Sequence, residues 1–285
     1  TGYYSFLYKR SGLEQTQNAN LAGTSNNQLV QRLIDMATGK RPTGASVVTT
    51  LDAAAQQAAA KALGDRPGAV VAIDYKTGAV KALVTSPTYD PNDLATHDLT
   101  AAQKSWEALN ADANKPLSNR ATREIFPPGS TFKLVVSAAA LASGMTPDTL
   151  VDSPDSLTLP GTSRPLGNSS SCGGTKISLE QALKVSCNTA FAGLGMQLGA
   201  DAVRTQAQKF GFGSGNELPD LGSATSNFPA KLDQAQLAQS SIGQFDVAAT
   251  PLQMAMVAAG IANNGVVMQP YLVQQVRAAD LTVLE

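Results

Sequence analysis

Residues 126–142 read FPPGSTFKLVVSAAALA, and this stretch decides how the chain folds. Pro127, Pro128 and Gly129 interrupt the chain and indicate a turn. The residues that follow, 130–142, are apolar on nearly every side of a helix, which is typical of a helix buried in the interior. The sequence therefore predicts a central, buried helix that begins directly after a sharp turn.

Ser130 and Lys133 lie on the same face of that helix, because residues three apart are neighbours on a helix surface. A serine hydroxyl is a weak nucleophile until a nearby base takes its proton. Burial among apolar residues and the positive end of the helix dipole both disfavour an ammonium group, so they favour a neutral Lys133 that accepts protons. Amide groups at the helix N-terminus could also stabilise an oxyanion formed at Ser130. We therefore interpret Ser130 as a nucleophile and Lys133 as its base.

The S-x-x-K spacing alone is unspecific, because two of its four positions are free. Ser130 could be only the N-cap of the helix, with Lys133 as a solvated side chain. An exposed lysine fits poorly in a helix that is apolar all round, however, and the Pro-Pro-Gly turn would present the serine at the helix start. These two features favour the catalytic interpretation.

Ser186 and Asn188 form a second candidate group, at the end of a helix predicted to begin at Ser178. Ser178 and Gln181 have the spacing of a capping box, which supports that start. Ser186 could relay a proton to a leaving group, and Asn188 could hold a substrate amide through its paired donor and acceptor atoms. The alternative is that Ser186 and Asn188 simply end the helix.

The composition argues against several other kinds of site. The 21 basic and 22 acidic side chains are mixed along the chain, which leaves no basic patch for nucleic acid. A Ser-His-Asp triad would depend on His97, the only histidine, which has no companion motif. One histidine and two distant cysteines are too few for a zinc site, and we expect neither a metal nor a cofactor. The longest nearly apolar run, residues 134–142, is too short to span a bilayer, so membrane attachment would need an anchor absent from this chain.

The first part of the chain contains fewer clear signals. Residues 1–44 are rich in glycine and polar residues and lack a long periodic segment, which suggests the edge of another domain. A β-branched run at residues 46–50 predicts a strand. Asp52 is then expected to be the N-cap of a helix over residues 53–63.

Further elements are predicted on both sides of the central helix. Two apolar runs, residues 69–73 and 79–84, are separated by a turn-like segment, residues 74–78, and predict an antiparallel hairpin. The polar residues 90–123 predict loop and short helices. Residues 250–262 predict a third long helix, which ends at an Asn-Asn-Gly sequence.

The two motifs together resemble those of class B penicillin-binding proteins, whose signature combines S-x-x-K, S-x-N and K-T/S-G. The likeness extends beyond the motifs to residues 49–63, 69–92, 119–141, 177–190 and 243–270. It implies that Ser130 is acylated by the stem peptide of peptidoglycan, loses D-alanine, and passes the acyl group to an amine on a neighbouring strand. It also implies that Lys133 activates Ser130 and that Ser186 and Asn188 assist proton transfer and substrate placement. By the same likeness, β-lactams acylate Ser130.

The third motif is where the chain departs from the family. The only K-T-G is Lys76-Thr77-Gly78, which precedes the nucleophile and lies in the predicted hairpin turn. In the family, the triplet follows S-x-N on the strand that borders the cleft. We interpret these three residues as turn residues and expect the functional triplet beyond Glu285. The transpeptidase domain would then be incomplete here and lack one wall of its active site.

Two further points follow from the resemblance. An exported enzyme would let Cys172 pair with Cys187 and tie the preceding loop to the active site, although two buried thiols are equally compatible with the cysteine count. A class A β-lactamase would carry a deacylating glutamate in an E-x-x-L-N pattern, which residues 217–221 (ELPDL) do not match. A penicilloyl adduct should therefore be long-lived.

The sequence thus predicts a mixed α/β serine transpeptidase fold of the penicillin-binding type, with an antiparallel sheet flanked by helices. Residues 45–285 are assigned to this domain, and residues 1–44 to the end of a non-catalytic dimerisation or pedestal module. The implied function is that of a D,D-transpeptidase. A D,D-carboxypeptidase, which uses water as the acceptor, and a β-lactam-binding sensor or scaffold without turnover remain alternatives.

The resemblance also implies partners and a location. The partners would be peptidoglycan stem peptides, β-lactam antibiotics and other cell-wall synthesis proteins. The catalytic domain would lie on the extracytoplasmic side of the cell membrane. A role in division and a role in elongation remain open.

Overall fold

The structure is a computed structural model that describes residues 2–39, 43–215 and 217–284, with the backbone only at residues 30 and 31. The sequence predicted two segments, 1–44 and 45–285, and their outer end residues, 1 and 285, lie outside the described residues. The helices are α1 (Gly12–Thr16), α2 (Asn18–Leu21), α3 (Leu29–Ala37), α4 (Ala53–Leu63), α5 (Asn92–Ala95), α6 (Leu99–Ala111), α7 (Arg120–Arg123), α8 (Lys133–Ala142), α9 (Leu179–Lys184), α10 (Asn188–Leu198), α11 (Ala200–Lys209), α12 (Gln234–Ser240) and α13 (Pro251–Ala262). Short 3₁₀ turns lie at Asn26–Gln28 and Gly129–Phe132.

The strands form antiparallel pairs. They are β1 (Tyr4–Ser5), β2 (Lys9–Arg10), β3 (Ser46–Thr49), β4 (Gly68–Ile73), β5 (Val80–Ser86), β6 (Leu150–Asp152), β7 (Ser156–Thr158), β8 (Pro165–Gly167), β9 (Lys176–Ser178) and β10 (Val273–Arg277). The pairs are β1 with β2, β3 with β10, β4 with β5, β6 with β9, and β7 with β8. The predicted antiparallel pairing is confirmed, but over the described residues it takes the form of separate two-stranded ladders rather than one wide sheet.

The chain divides into two compact units. The first comprises residues 1–124, 216–223 and 268–285, and the second comprises residues 125–215 and 224–267. These units are defined by packing, and the first of them extends across the boundary that the sequence places at residue 44. That boundary stays a prediction.

The first unit contains the β3–β10 and β4–β5 ladders, and local sequence signals position their elements. Asp52 accepts a hydrogen bond from the amide of Ala55 at 2.8 Å, so it is the N-cap of α4 as predicted. Val80 donates its amide proton to the carbonyl of Tyr271 at 3.1 Å, which links the β5 strand to the residues that lead into β10. The predicted strand, helix and hairpin of residues 46–86 are therefore confirmed.

The Lys76-Thr77-Gly78 triplet lies in the turn of the β4–β5 hairpin. The carboxylate of Asp74 accepts hydrogen bonds from the amides of Lys76, at 3.0 Å, and Thr77, at 3.3 Å. Gly78 has φ +84°, and a Cβ at this position would lie 2.3 Å from the carbonyl oxygen of Gln269, so only glycine fits. The interpretation of this K-T-G as a turn is confirmed.

Two of the longer helices of the first unit were not expected from the sequence. Residues 1–44 include the nine-residue helix α3, so the expectation that this segment lacks a long periodic element is wrong. The segment 90–123 includes α6, whose 13 residues exceed the short helices expected there. Asp98 stabilises its start by accepting hydrogen bonds from the amides of Thr100 and Ala101, both at 3.0 Å.

The second unit is built around α8, as residues 130–142 predicted. Phe132, Val135 and Val136 are fully buried, and each such side chain contributes about 1.5–3 kcal/mol to folding. The ring of Phe132 stacks on Phe228 with centroids 5.7 Å apart and meets Phe212 edge-on at 5.6 Å. These contacts fix the start of α8 firmly in the core.

None of the described helices has both the length and the apolar character needed to cross a membrane.

Candidate active site

Ser130 lies in the 3₁₀ turn Gly129–Phe132, and α8 begins only at Lys133. The expectation that residue 130 opens the α-helix itself is therefore wrong by three residues. The turn is held by non-local contact, since the amide of Gly129 donates to the carbonyl of Gly243 at 2.9 Å. Ser130 is exposed at this turn, where a substrate can reach its hydroxyl.

Lys133 is fully buried, and its amine contacts oxygen atoms of three residues. The Nζ atom lies 3.1 Å from Ser130 Oγ and 2.9 Å from Ser186 Oγ. It also lies 2.7 Å from Asn188 Oδ1 and 2.8 Å from the carbonyl oxygen of Ser186. The structure thus brings together all four residues that the two sequence motifs singled out.

Burial lowers the pKa of Lys133 from its ordinary value of 10.5 to about 8, because an ammonium group loses hydration in the interior. The sequence predicted a lowered pKa from burial and from the helix dipole; burial is the cause that the structure supports. The ring of Phe191 also lies near the amine, with Nζ 5.8 Å from its centroid. A substantial fraction of Lys133 is therefore neutral in mildly basic solution and able to accept a proton.

Ser186 connects two helices rather than ending one. Ser178 caps α9 by accepting from the amide of Gln181 at 3.1 Å, as its capping spacing predicted. Ser186 then adopts φ +56°, a left-handed conformation uncommon for a residue with a side chain, and the chain turns into α10. Asn188 is the first residue of α10, so the alternative in which it merely ends the preceding helix is wrong.

A neighbouring segment supports the second motif. Cys172 and Cys187 form a disulfide with their Cα atoms 5.5 Å apart, which confirms the pairing that the resemblance suggested. Asn188 Nδ2 donates to the carbonyl oxygen of Gly167 at 3.2 Å. Both contacts join the S-x-N motif to residues 15 to 21 positions earlier in the chain.

The arrangement suits acyl transfer. An exposed hydroxyl faces a buried amine with a lowered pKa, and a second hydroxyl and a carboxamide contact the same amine. Groups placed in this way could carry an acyl group as a serine ester, which is the chemistry that the two sequence motifs predicted.

Comparison with known sequences gives the family. The sequence model described as "Penicillin binding protein transpeptidase domain" matches residues 68–283, and the chain belongs to this family. Residues 1–47 match the model described as "Penicillin binding protein A dimerisation domain". The resemblance stated from the motifs is thereby confirmed.

Individual relatives support the same family. The chain is 44% identical over 292 residues to the peptidoglycan D,D-transpeptidase PbpA of Mycolicibacterium smegmatis, a match that covers all of this chain and 60% of the relative. It matches penicillin-binding protein A from M. tuberculosis, solved as an imipenem acyl-enzyme complex, with a TM-score of 0.96 and 41% identity over 100% of this chain and 67% of that one.

A D,D-transpeptidase domain from Eggerthella lenta matches with a TM-score of 0.81 and 31% identity over 99% of this chain and 65% of that one. The chain spans about 60% of the length of the mycobacterial PbpA relatives that it matches. The predicted transpeptidase fold is confirmed by these matches.

Proposed function

We propose that the protein to which this chain belongs is a peptidoglycan D,D-transpeptidase that cross-links stem peptides through an acyl-enzyme on Ser130. The observation that carries the proposal is the distance of 3.1 Å between Ser130 Oγ and the buried amine of Lys133. The relatives described as peptidoglycan D,D-transpeptidases, and the acyl-enzyme complexes of penicillin-binding protein A, support it.

The contacts of Lys133 orient its amine for proton transfer. A neutral amine has two N–H donors and one lone pair. The carbonyl oxygen of Ser186 and Oδ1 of Asn188 can only accept hydrogen bonds, so they take the two N–H groups, at 2.8 Å and 2.7 Å. The lone pair is then left for one of the two exposed hydroxyls beside Nζ, and in the proposed mechanism Ser130 Oγ is the one that donates to it. Lys133 is thereby prepared to accept the proton of Ser130.

Acylation follows from this geometry. Ser130 Oγ attacks the carbonyl carbon of the penultimate D-alanine as its proton moves to Lys133. The peptide C–N bond then breaks, and the leaving D-alanine nitrogen takes up a proton. Ser186 Oγ lies 2.9 Å from Lys133 Nζ, so it can relay that proton from the amine to the leaving group.

Deacylation reverses the roles. The amine of a neighbouring stem peptide attacks the Ser130 ester and gives up a proton through the same groups. The serine hydroxyl is restored and a new peptide bond links the two strands. Asn188, whose amide contacts both Lys133 and Gly167, would hold the substrate amide beside these groups.

The location and partners belong to the same proposal. Peptidoglycan lies outside the cytoplasm, so the catalytic domain would act on the extracytoplasmic side of the cell membrane. Cell-wall synthesis proteins would be its partners, which a structural match to a peptidoglycan synthase complex supports, with a TM-score of 0.73 and 31% identity over 83% of this chain. β-Lactams would acylate Ser130 in place of the stem peptide.

Mass spectrometry of a β-lactam adduct tests the proposal. The full-length protein is used. Incubation with penicillin should add one penicillin mass to the peptide that contains Ser130, and Ser130→Ala should abolish the addition. An adduct on the alanine variant would overturn the assignment of the nucleophile.

Turnover separates the remaining alternatives. A transpeptidase should release D-alanine from a D-Ala-D-Ala peptide and transfer the remainder to an added amine. A carboxypeptidase should give only the hydrolysed product. A sensor should be acylated once per molecule without further release.

A further inference from the structure

Residues 167–172 contact three consecutive residues of the second motif region. Asn188 Nδ2 donates to the carbonyl of Gly167 at 3.2 Å, and Cys187 is linked to Cys172. The third contact joins Thr189, the residue after the motif, to Asn168. We call residues 167–172 the supporting segment.

Asn168 makes more hydrogen bonds to the second motif region than any other residue of the supporting segment. Its Oδ1 accepts from the amide of Thr189 at 3.0 Å, and its Nδ2 donates to Thr189 Oγ1 at 3.0 Å. Nδ2 also lies 3.3 Å from the carbonyl oxygen of Pro154, which accepts from Thr189 Oγ1 at 2.7 Å. One carboxamide thus satisfies both the main chain and the side chain of Thr189.

Asn168 caps α10 from a distant position in the sequence. The residue that precedes the helix, Cys187, provides no side-chain cap. The amide of Thr189 lies in the first turn of α10, and Thr189 is almost fully buried. Because a buried amide without a partner costs about 1–3 kcal/mol, removal of Asn168 would strain the start of the helix that carries Asn188.

The Asn188 carboxamide is held by one contact at each of its two polar atoms, and the supporting segment provides one of these contacts. Its Oδ1 contacts Lys133 Nζ, and its Nδ2 contacts the carbonyl of Gly167, the residue directly before Asn168. The bonds from Asn168 to Thr189 therefore fix the position of the Gly167 carbonyl relative to α10. If that carbonyl moves away, the Asn188 amide loses the acceptor that keeps its oxygen turned towards Lys133.

We infer that Asn168 is a positioning residue for acyl transfer: it holds the Asn188 carboxamide in the orientation that directs the Lys133 lone pair towards Ser130. The inference rests on the proposed function, because the geometry that Asn168 maintains is that of the nucleophile and its base. Asn168 lies outside the three family motifs, and it acts through Gly167 and Thr189 rather than on the substrate.

The rate of Ser130 acylation tests this role. It is measured with a fluorescent penicillin on full-length protein whose disulfide is kept oxidised. Asn168→Ala should lower the limiting acylation rate about tenfold and leave the concentration for half-maximal rate nearly unchanged, because the reacting groups rather than the binding surface are displaced. Asn168→Asp keeps an acceptor for the Thr189 amide and should recover part of the rate. If Asn168→Ala does not fold, the acylation rate of Asn168→Asp is compared with that of the parent protein instead.

Ser171→Ala is the matched control, since it lies in the same supporting segment and its hydroxyl accepts only from the amide of Gly173, at 3.2 Å, among the contacts described. The control should react like the parent protein. Equal limiting rates for Asn168→Ala and the parent would overturn the inference, as would equal losses in Asn168→Ala and Ser171→Ala. A parent protein that is not acylated at Ser130 would instead overturn the proposed function itself.

Discussion

A rise in pH from 7 to 9 should accelerate acylation of Ser130 about tenfold. Burial lowers the pKa of Lys133 to about 8, and only the neutral amine can accept the serine proton. With that pKa, the neutral fraction is roughly 9% at pH 7, about one half at pH 8 and roughly 91% at pH 9. A lysine with its ordinary pKa of 10.5 would still be almost entirely protonated at pH 9. The rate should therefore rise with pH and level off above pH 9.

The assay is the second-order rate of acylation by a fluorescent penicillin, taken at half-unit intervals from pH 6.5 to 9.5. Hydroxide also opens β-lactam rings, so the loss of penicillin without protein is subtracted at each pH. Circular dichroism at each pH shows whether the protein remains folded. The full-length protein is used, as in the mass measurement.

Lys133→Arg provides the comparison, because a guanidinium group stays protonated throughout this range. We expect its acylation rate to fall by more than about 100-fold and to lose the rise with pH. A parent protein whose rate is constant from pH 7 to 9, or falls, would refute the view that Lys133 acts as the base. So would an arginine variant that keeps the pH profile of the parent.

Two further predictions concern the frame that holds these groups. Replacing Cys172 and Cys187 together by serine should lower the free energy of unfolding by about 3 kcal/mol, which is the chain-entropy value for a loop of 15 residues. Urea unfolding of the oxidised parent and the variant measures this difference. An unchanged unfolding midpoint would contradict the prediction. Gly243→Ala should slow acylation about 100-fold, because the new Cβ would lie 2.0 Å from the carbonyl oxygen of Gly129 and displace the turn before Ser130. Gly199→Ala is the control, because Gly199 has a similar φ of +83° but open space for a Cβ, so this variant has the backbone strain without the steric clash. Equal acylation rates in the two variants would argue against an effect of the clash between residues 243 and 129.

The parts of the site that depend on local sequence could be predicted well. Ser130 and Lys133 are three residues apart, and the apolar residues after them indicated a buried lysine, which the structure confirms. The caps at Asp52 and Ser178 were also predictable, because a cap and the amide it accepts from lie within three residues. In each case, the interacting groups are close in the chain.

Other features could not be predicted, because their partners are distant in the chain. The cysteine count left pairing open, and the proximity of Cys172 to Cys187 in the fold decided it. The 3₁₀ turn at Ser130 depends in part on a hydrogen bond from Gly129 to Gly243, more than a hundred residues later. Asn168 carries no sequence signal at all, since an asparagine in a polar loop has many ordinary roles.

The sequence by itself predicted the chemistry that we propose: a serine nucleophile, a buried lysine, and a second hydroxyl and carboxamide of the family type. Only the tertiary structure decided that these groups meet, with one amine in contact with Ser130, Ser186 and Asn188. The physical reason is that helical spacing fixes neighbours three or four residues apart. The approach of α10 to α8, by contrast, depends on packing and hydrogen bonds summed over residues far apart in the chain.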